Sequence, residues 1–152
     1  MIAKSKYRFY LWSASVLGVL IFIFANSLLS SEASGEESTS LLAFLIGYFP
    51  FLTHHLVRKL AHFCEYALLG VIMAFAPVFL PSRKGVSRIA ALCFGVPVSL
   101  IDEGIQRFVP GRGPSLTDAL IDCAGYLCGL LLVFLILYLI SRKGEKTWKK
   151  RS

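Results

Sequence analysis

Four nearly unbroken apolar stretches alternate with short polar segments along this chain. They run about Phe9–Leu29, Leu60–Leu80, Ile89–Gln106 and Asp118–Ile140. Each is close to the ~20 residues a helix needs to cross a hydrocarbon core of about 30 Å, the third being slightly short. The pattern predicts an all-α, polytopic membrane protein with four transmembrane helices. A further apolar run, Leu41–Leu52, is interrupted by Gly47 and Pro50 and is too short to span. It is expected to form a short interfacial or re-entrant helix in the first external loop, or to pack over the bundle mouth. The preceding Ser30–Ser40 stretch is serine-rich, carries Glu32, Glu36 and Glu37, and reads as a solvated loop.

Between the third and fourth spans, Pro110, Gly111, Gly113 and Pro114 make Arg107–Thr117 a tight, stiff turn. Ser115 with Asp118 three residues later resembles a capping box opening the fourth helix. Within that helix, Gly125 and Gly129 form a G-x-x-x-G pair suited to close helix packing. The pair fits packing inside one protomer or between two, which leaves a homodimer open.

Composition agrees with a membrane setting: 56% of the residues are hydrophobic and mean hydropathy is +0.68, too apolar for a soluble domain of this length. The formal charge of +7 flanks the apolar spans, which argues against a nucleic-acid partner and for topology and anionic-lipid contact. With the N-terminus cytoplasmic, twelve of the sixteen basic residues fall inside and only Arg58, Lys59, Arg107 and Arg112 outside. Both termini are therefore expected in the cytoplasm, the chain being one membrane domain over 1–152 with a basic tail at 141–152. The first apolar stretch is too long for a signal peptide, and Ala25-Asn26-Ser27 is a poor cleavage site, so a retained helix is expected. Cys64, Cys93, Cys123 and Cys128 all lie in apolar segments without C-x-x-C spacing. They read as small packing residues, not as redox or metal ligands.

Eight of the nine acidic residues fall on the external side in this topology. Five lie within or beside apolar helices: Glu65, Asp102, Glu103, Asp118 and Asp122. A carboxylate in hydrocarbon costs about 2.5–3.5 kcal/mol even on lenient insertion scales, so several at one depth suggest a held ligand. The second helix enters from outside near Lys59, placing His62 and Glu65 in its outer turns. Asp102 lies fourteen residues past Arg88, roughly 21 Å along at 1.5 Å per residue, again the outer third. Asp118 opens the fourth helix and Asp122 lies one turn deeper. His62 with Glu65, His62 with Tyr66, Asp102 with Gln106 and Asp118 with Asp122 each share a helix face. These faces are expected to meet inside the bundle, with Glu103 aimed either there or toward the loop.

Three segments carry a resemblance. Arg58-Lys59-Leu60-Ala61-His62-Phe63-Cys64-Glu65-Tyr66, then Asp102-Glu103-Gly104-Ile105-Gln106-Arg107-Phe108-Val109-Pro110-Gly111-Arg112, then Asp118 with Asp122 and Gly125 resemble, in order, the motifs of the VanZ-like family. The likeness extends from Phe22 to Gly129 and includes the Phe24–Ser27 stretch. Asp122 stands where that family often has Asn. The resemblance implies a small polytopic protein of the bacterial cytoplasmic membrane. Its founding member is associated with resistance to the glycopeptide teicoplanin, so a cell-envelope role with glycopeptide tolerance is the implied phenotype.

Two classes of function follow from the residues. In the first, an outward-facing pocket engages a membrane lipid, a lipid-linked envelope precursor or the glycopeptide itself. Arg58, Gln106, Arg112, Asp118 and Asp122 are the candidate ligand-binding residues, with Arg112 suited to a bidentate contact with phosphate or carboxylate. In the second, the protein is a membrane-embedded enzyme acting on a lipid phosphate or headgroup. His62 and Glu65 would be the acid–base pair, with Asp102, Glu103 and Asp118 able to hold Mg²⁺. Zinc is less favoured, since only one histidine is in place. A proton-coupled transporter is a third option, weakened by the lack of internal repeats. In every class the competing role for these residues is structural, as buried ion pairs that fix helix register.

Overall fold

A computed structural model describes residues 2–29, 53–79 and 84–149, and all of the regular elements there are helices. They are α1 (Ile2–Ser27), α2 (His54–Met73), α3 (Ala76–Phe79), α4 (Lys84–Cys93), α5 (Gly95–Gln106) and α6 (Leu116–Lys149). Among the described residues four stretches are long and apolar enough to cross a membrane: Lys6–Ser27, Leu56–Phe79, Arg88–Gln106 and Leu116–Arg142. The chain is thus an all-α, multi-pass membrane protein, as its apolar pattern predicts. The helix expected within Leu41–Leu52 lies outside the described residues.

The boundaries differ from the sequence reading for physical reasons. The second span begins at His54, six residues before Leu60, because Thr53 caps it by accepting from the Leu56 amide at 3.3 Å. It breaks at Ala74–Phe75, ahead of Pro77, which has no amide proton for the Met73 carbonyl. The third span is likewise two helices broken at Phe94, since Pro97 cannot serve the Cys93 carbonyl. The fourth helix continues nine residues past Ile140, through most of the segment read as a tail.

The four spans form a ring in the order α1, α2, α6, α5. The α2–α6 interface is the most extensive, and glycines set it. A Cβ at Gly125 would strike the Phe63 carbonyl oxygen, one at Gly129 the Ala67 carbonyl oxygen, and one at Gly70 the Tyr126 carbonyl oxygen. The G-x-x-x-G pair is therefore used within the protomer, letting two backbones touch. Below the polar residues the core is Ile23, Tyr66, Leu69, Met73, Val98, Tyr126 and Leu130. Tyr126 lies against Gly95, and its hydroxyl donates to the Ala91 carbonyl beside the α4–α5 break. Trp12 of α1 donates to the Ile72 carbonyl at 2.9 Å, next to the α2–α3 break. The outward faces are apolar, with Leu131, Leu132, Leu135, Ile136, Leu137, Leu139 and Ile140 exposed along α6. A helix apolar all round suits lipid. Cys64, Cys93 and Cys128 are exposed on these apolar elements and Cys123 is half-buried, so the expected packing role is not what most of them do.

Candidate functional site

Every member of the ring delivers polar side chains to one end of the bundle. These come from the last turn of α1, the second and third turns of α2, the last turns of α5 and the first turns of α6. His62 is six residues from Leu56, where the second span opens, and Asp122 is six from Leu116. Both are roughly 9 Å deep at 1.5 Å per residue. Asp102, four residues from Gln106, is roughly 6 Å deep.

Asp102 is fully buried and Asp122 is 1% exposed. The Ser27 hydroxyl donates to Asp102 Oδ1, and Gln106 Nε2 donates to Oδ2 at 3.4 Å. The Ser99 hydroxyl lies 3.2 Å from both Asp122 Oδ2 and the Ala119 carbonyl, so its one proton is shared between them. Asp122 Oδ1 has no hydrogen-bond partner among the described residues. His62 points its Nδ1 between the two aspartates, 4.0 Å from Asp102 Oδ2 and 3.9 Å from Asp122 Oδ1. That nitrogen is buried and has no hydrogen-bond partner among the described residues. The three residues each offer one metal-ligating atom within 4.8 Å of the others. Tyr66, one turn deeper than His62, lies within electrostatic reach of Asp102, Asp122 and Glu65.

Glu65 accepts from Asn26 Nδ2 at 2.7 Å. The end of α1 thus donates to carboxylates of both α2 and α5, through Asn26 and Ser27. Lys59 pairs with Asp118 at 2.6 Å, both partly exposed, while Ser115 caps α6 by accepting from the Asp118 amide at 3.3 Å. Glu103 turns toward the loop, where it accepts from the Ser115 amide. The Mg²⁺ grouping read from sequence, Asp102 with Glu103 and Asp118, is therefore split. Asp118 is engaged by Lys59, Glu103 by Ser115, and Asp102 converges with His62 and Asp122.

Arg112 closes the mouth. Its amide donates to the Val109 carbonyl at 3.1 Å, with Pro110 and Gly111 between and Gly111 at φ 74°. Proline then a residue with positive φ is the type II turn, and glycine tolerates that φ without strain. The turn brings the Arg112 side chain back against the bundle, where its Nε and Nη1 are buried without hydrogen-bond partners among the described residues. Burial lowers the Arg112 guanidinium from its usual range, and the Arg58 charge pushes it the same way. Asp102, Glu65 and Asp118 oppose that shift. Two neighbouring guanidinium groups, one with unused donors, favour an anion between them. Arg107 is exposed and stays apart.

Of the residues singled out in the sequence, His62, Glu65, Asp102, Gln106, Arg112, Asp118 and Asp122 gather at this end with Arg58. Asn26, Ser27 and Ser99 were not foreseen. Their signal was the presence of small polar side chains in spans that are otherwise apolar. A family model described as VanZ/LLP1 matches residues 9–138. No curated protein and no solved structure matches the chain.

Proposed function

The chain belongs to the VanZ-like family, and from that premise we propose that its polar end is an outward-facing site for the phosphate of a lipid-linked cell-envelope component. Occupancy of the site changes the access of a glycopeptide such as teicoplanin to its target. The observation that carries this reading is Arg112, whose Nε and Nη1 are buried and have no hydrogen-bond partner among the described residues, within electrostatic reach of Arg58. Guanidinium donors left unused at a membrane boundary match phosphate oxygens in geometry and charge. Membership of the family supports the envelope setting and the glycopeptide phenotype. The distribution of basic residues supports a bacterial cytoplasmic membrane with both termini inside.

A second reading, an enzyme acting on the same lipid phosphate, is favoured by His62 Nδ1. It lies unbonded between two carboxylates, as a proton-transferring group would. The test is teicoplanin susceptibility of a sensitive Gram-positive host carrying wild type, empty vector or Glu65→Gln, with membrane abundance matched. Protection by wild type and its loss in the variant is the expected result. Absence of protection by wild type refutes the glycopeptide role, and a loss that tracks abundance makes Glu65 structural.

A further inference from the structure

The geometry points to a divalent transition-metal site formed by His62 Nδ1, Asp102 Oδ2 and Asp122 Oδ1. One ligand comes from each of α2, α5 and α6. This deepens the reading of the polar end, and it rests on different atoms from those assigned to phosphate.

Three observations converge on it. The first is the set of atoms: an imidazole nitrogen flanked by two carboxylate oxygens at 4.0 and 3.9 Å, all three within 4.8 Å of one another. Bonds of about 2.1 Å place tetrahedral ligand atoms roughly 3.4 Å apart, so the two histidine–carboxylate separations need shorten by only about half an ångström. The second is unused capacity. Asp122 is 1% exposed, yet its Oδ1, aimed at the centre of the trio, has no hydrogen-bond partner among the described residues, and neither has His62 Nδ1. Buried polar atoms are nearly always satisfied, and each orphan needs an account. One ion accounts for both.

The third is charge. Glu65, Asp102, Glu103, Asp118 and Asp122 face this end, against Arg58, Lys59 and Arg112. Counted as ionised, the five carboxylates and three cations among the described residues give a formal charge of −2 in a site partly sheltered from water. One divalent ion cancels it. The cations already present are committed elsewhere or not bonded to the trio: Lys59 holds Asp118, and Arg112 shows no hydrogen bond from its buried donors.

The ligand set also selects the ion. Imidazole suits zinc and iron, and the two carboxylates admit manganese, whereas Mg²⁺ takes oxygen ligands and keeps its waters. Three protein ligands leave at least one position open, the arrangement of reactive sites more than of structural ones. The outer contacts are in place: Ser27 and Gln106 hold Asp102, and Ser99 holds Asp122. Such second partners orient metal ligands, and losing one typically costs about 10–100-fold in affinity.

The test uses the full chain, purified, stripped with chelator and reconstituted in nanodiscs without added ligand. It is titrated with Mn²⁺ followed by electron paramagnetic resonance, and with Zn²⁺ against a chromophoric chelator. About one ion per chain is expected, with the nitrogen coupling of a bound imidazole in the Mn²⁺ spin-echo spectrum. His62→Gln should weaken binding by about 100-fold or more, and Ser99→Ala by about 10–100-fold. Ser141→Ala, nineteen residues beyond Asp122 along α6 and exposed, should bind as wild type does. The nitrogen coupling is read on the wild type, so a misfolded variant does not decide the matter. No saturable binding, or binding without nitrogen coupling, overturns the assignment. So does a site kept at wild-type affinity in His62→Gln. A stripped protein that binds isoprenoid phosphate but no metal loses this inference alone. One that binds metal but no isoprenoid phosphate loses the phosphate reading alone.

Discussion

Replacing Gly125 with alanine tests how the site is held open to the correct width. An added Cβ would meet the Phe63 carbonyl oxygen, with the carbonyl carbon at 3.0 Å and Cα at 3.1 Å. All three atoms are backbone and cannot rotate away, so α2 and α6 must part. Overpacking costs about 1–3 kcal/mol, and a contact with rigid backbone belongs at the upper end of that range. Alanine's better helix propensity returns about 1 kcal/mol. The net loss is then about 2 kcal/mol, roughly a 30-fold shift toward the unfolded form. Gly104 lies at the same end of the bundle, in α5, where an added methyl group would meet nothing within 4 Å. There the propensity gain of about 1 kcal/mol stands alone, so Gly104→Ala should be stabilising. Steric trapping in bicelles measures both variants under native conditions. The separation of α2 and α6 also pulls His62 from Asp122, so Gly125→Ala should weaken binding at the polar end while Gly104→Ala leaves it intact. Equal stabilities for the two variants, within about 0.5 kcal/mol, would refute a rigid backbone contact at Gly125.

Two further outcomes are expected. Asn26→Leu removes the amide that donates to Glu65 at 2.7 Å; a hydrogen bond to a charged group is worth about 1.5–3 kcal/mol. The loss should show in the same trapping assay, and an unchanged stability would mean that this contact contributes nothing. A reporter fused after Ser152 should read cytoplasmic, and an external signal would invert the orientation on which the outward-facing site depends.

Much of the architecture was legible because hydrocarbon imposes a simple rule. Apolar stretches of spanning length must be helices, and charged residues among them must face inward. His62, Glu65, Asp102 and Asp122 are identifiable by depth and helix face alone. The breaks near Ala74 and Phe94 had visible causes in Pro77 and Pro97, but hydropathy runs through both prolines without change. Asn26, Ser27 and Ser99 escaped because a single small polar residue is tolerated in any span. Their significance lies in the partner, 39, 75 and 23 residues away. Glu103 shows the limit of face arguments: adjacent to Asp102, it turns to the Ser115 amide, a contact set by the 107–115 turn and not by helix period. The Mg²⁺ grouping is split because Glu103 is taken by the Ser115 amide and Asp118 by Lys59 of α2, 59 residues away in sequence.

The phosphate reading of the polar end turns on Arg112 presenting its guanidinium to a lipid-linked phosphate. The decisive comparison is native mass spectrometry of the purified protein with a long-chain isoprenoid phosphate, for wild type and Arg112→Gln of equal folded fraction. Wild type should form a stoichiometric adduct that is lost, or at least roughly tenfold weaker, in the variant, as removal of a charge-assisted bidentate contact requires. Equal binding by both would show that phosphate is not held by Arg112.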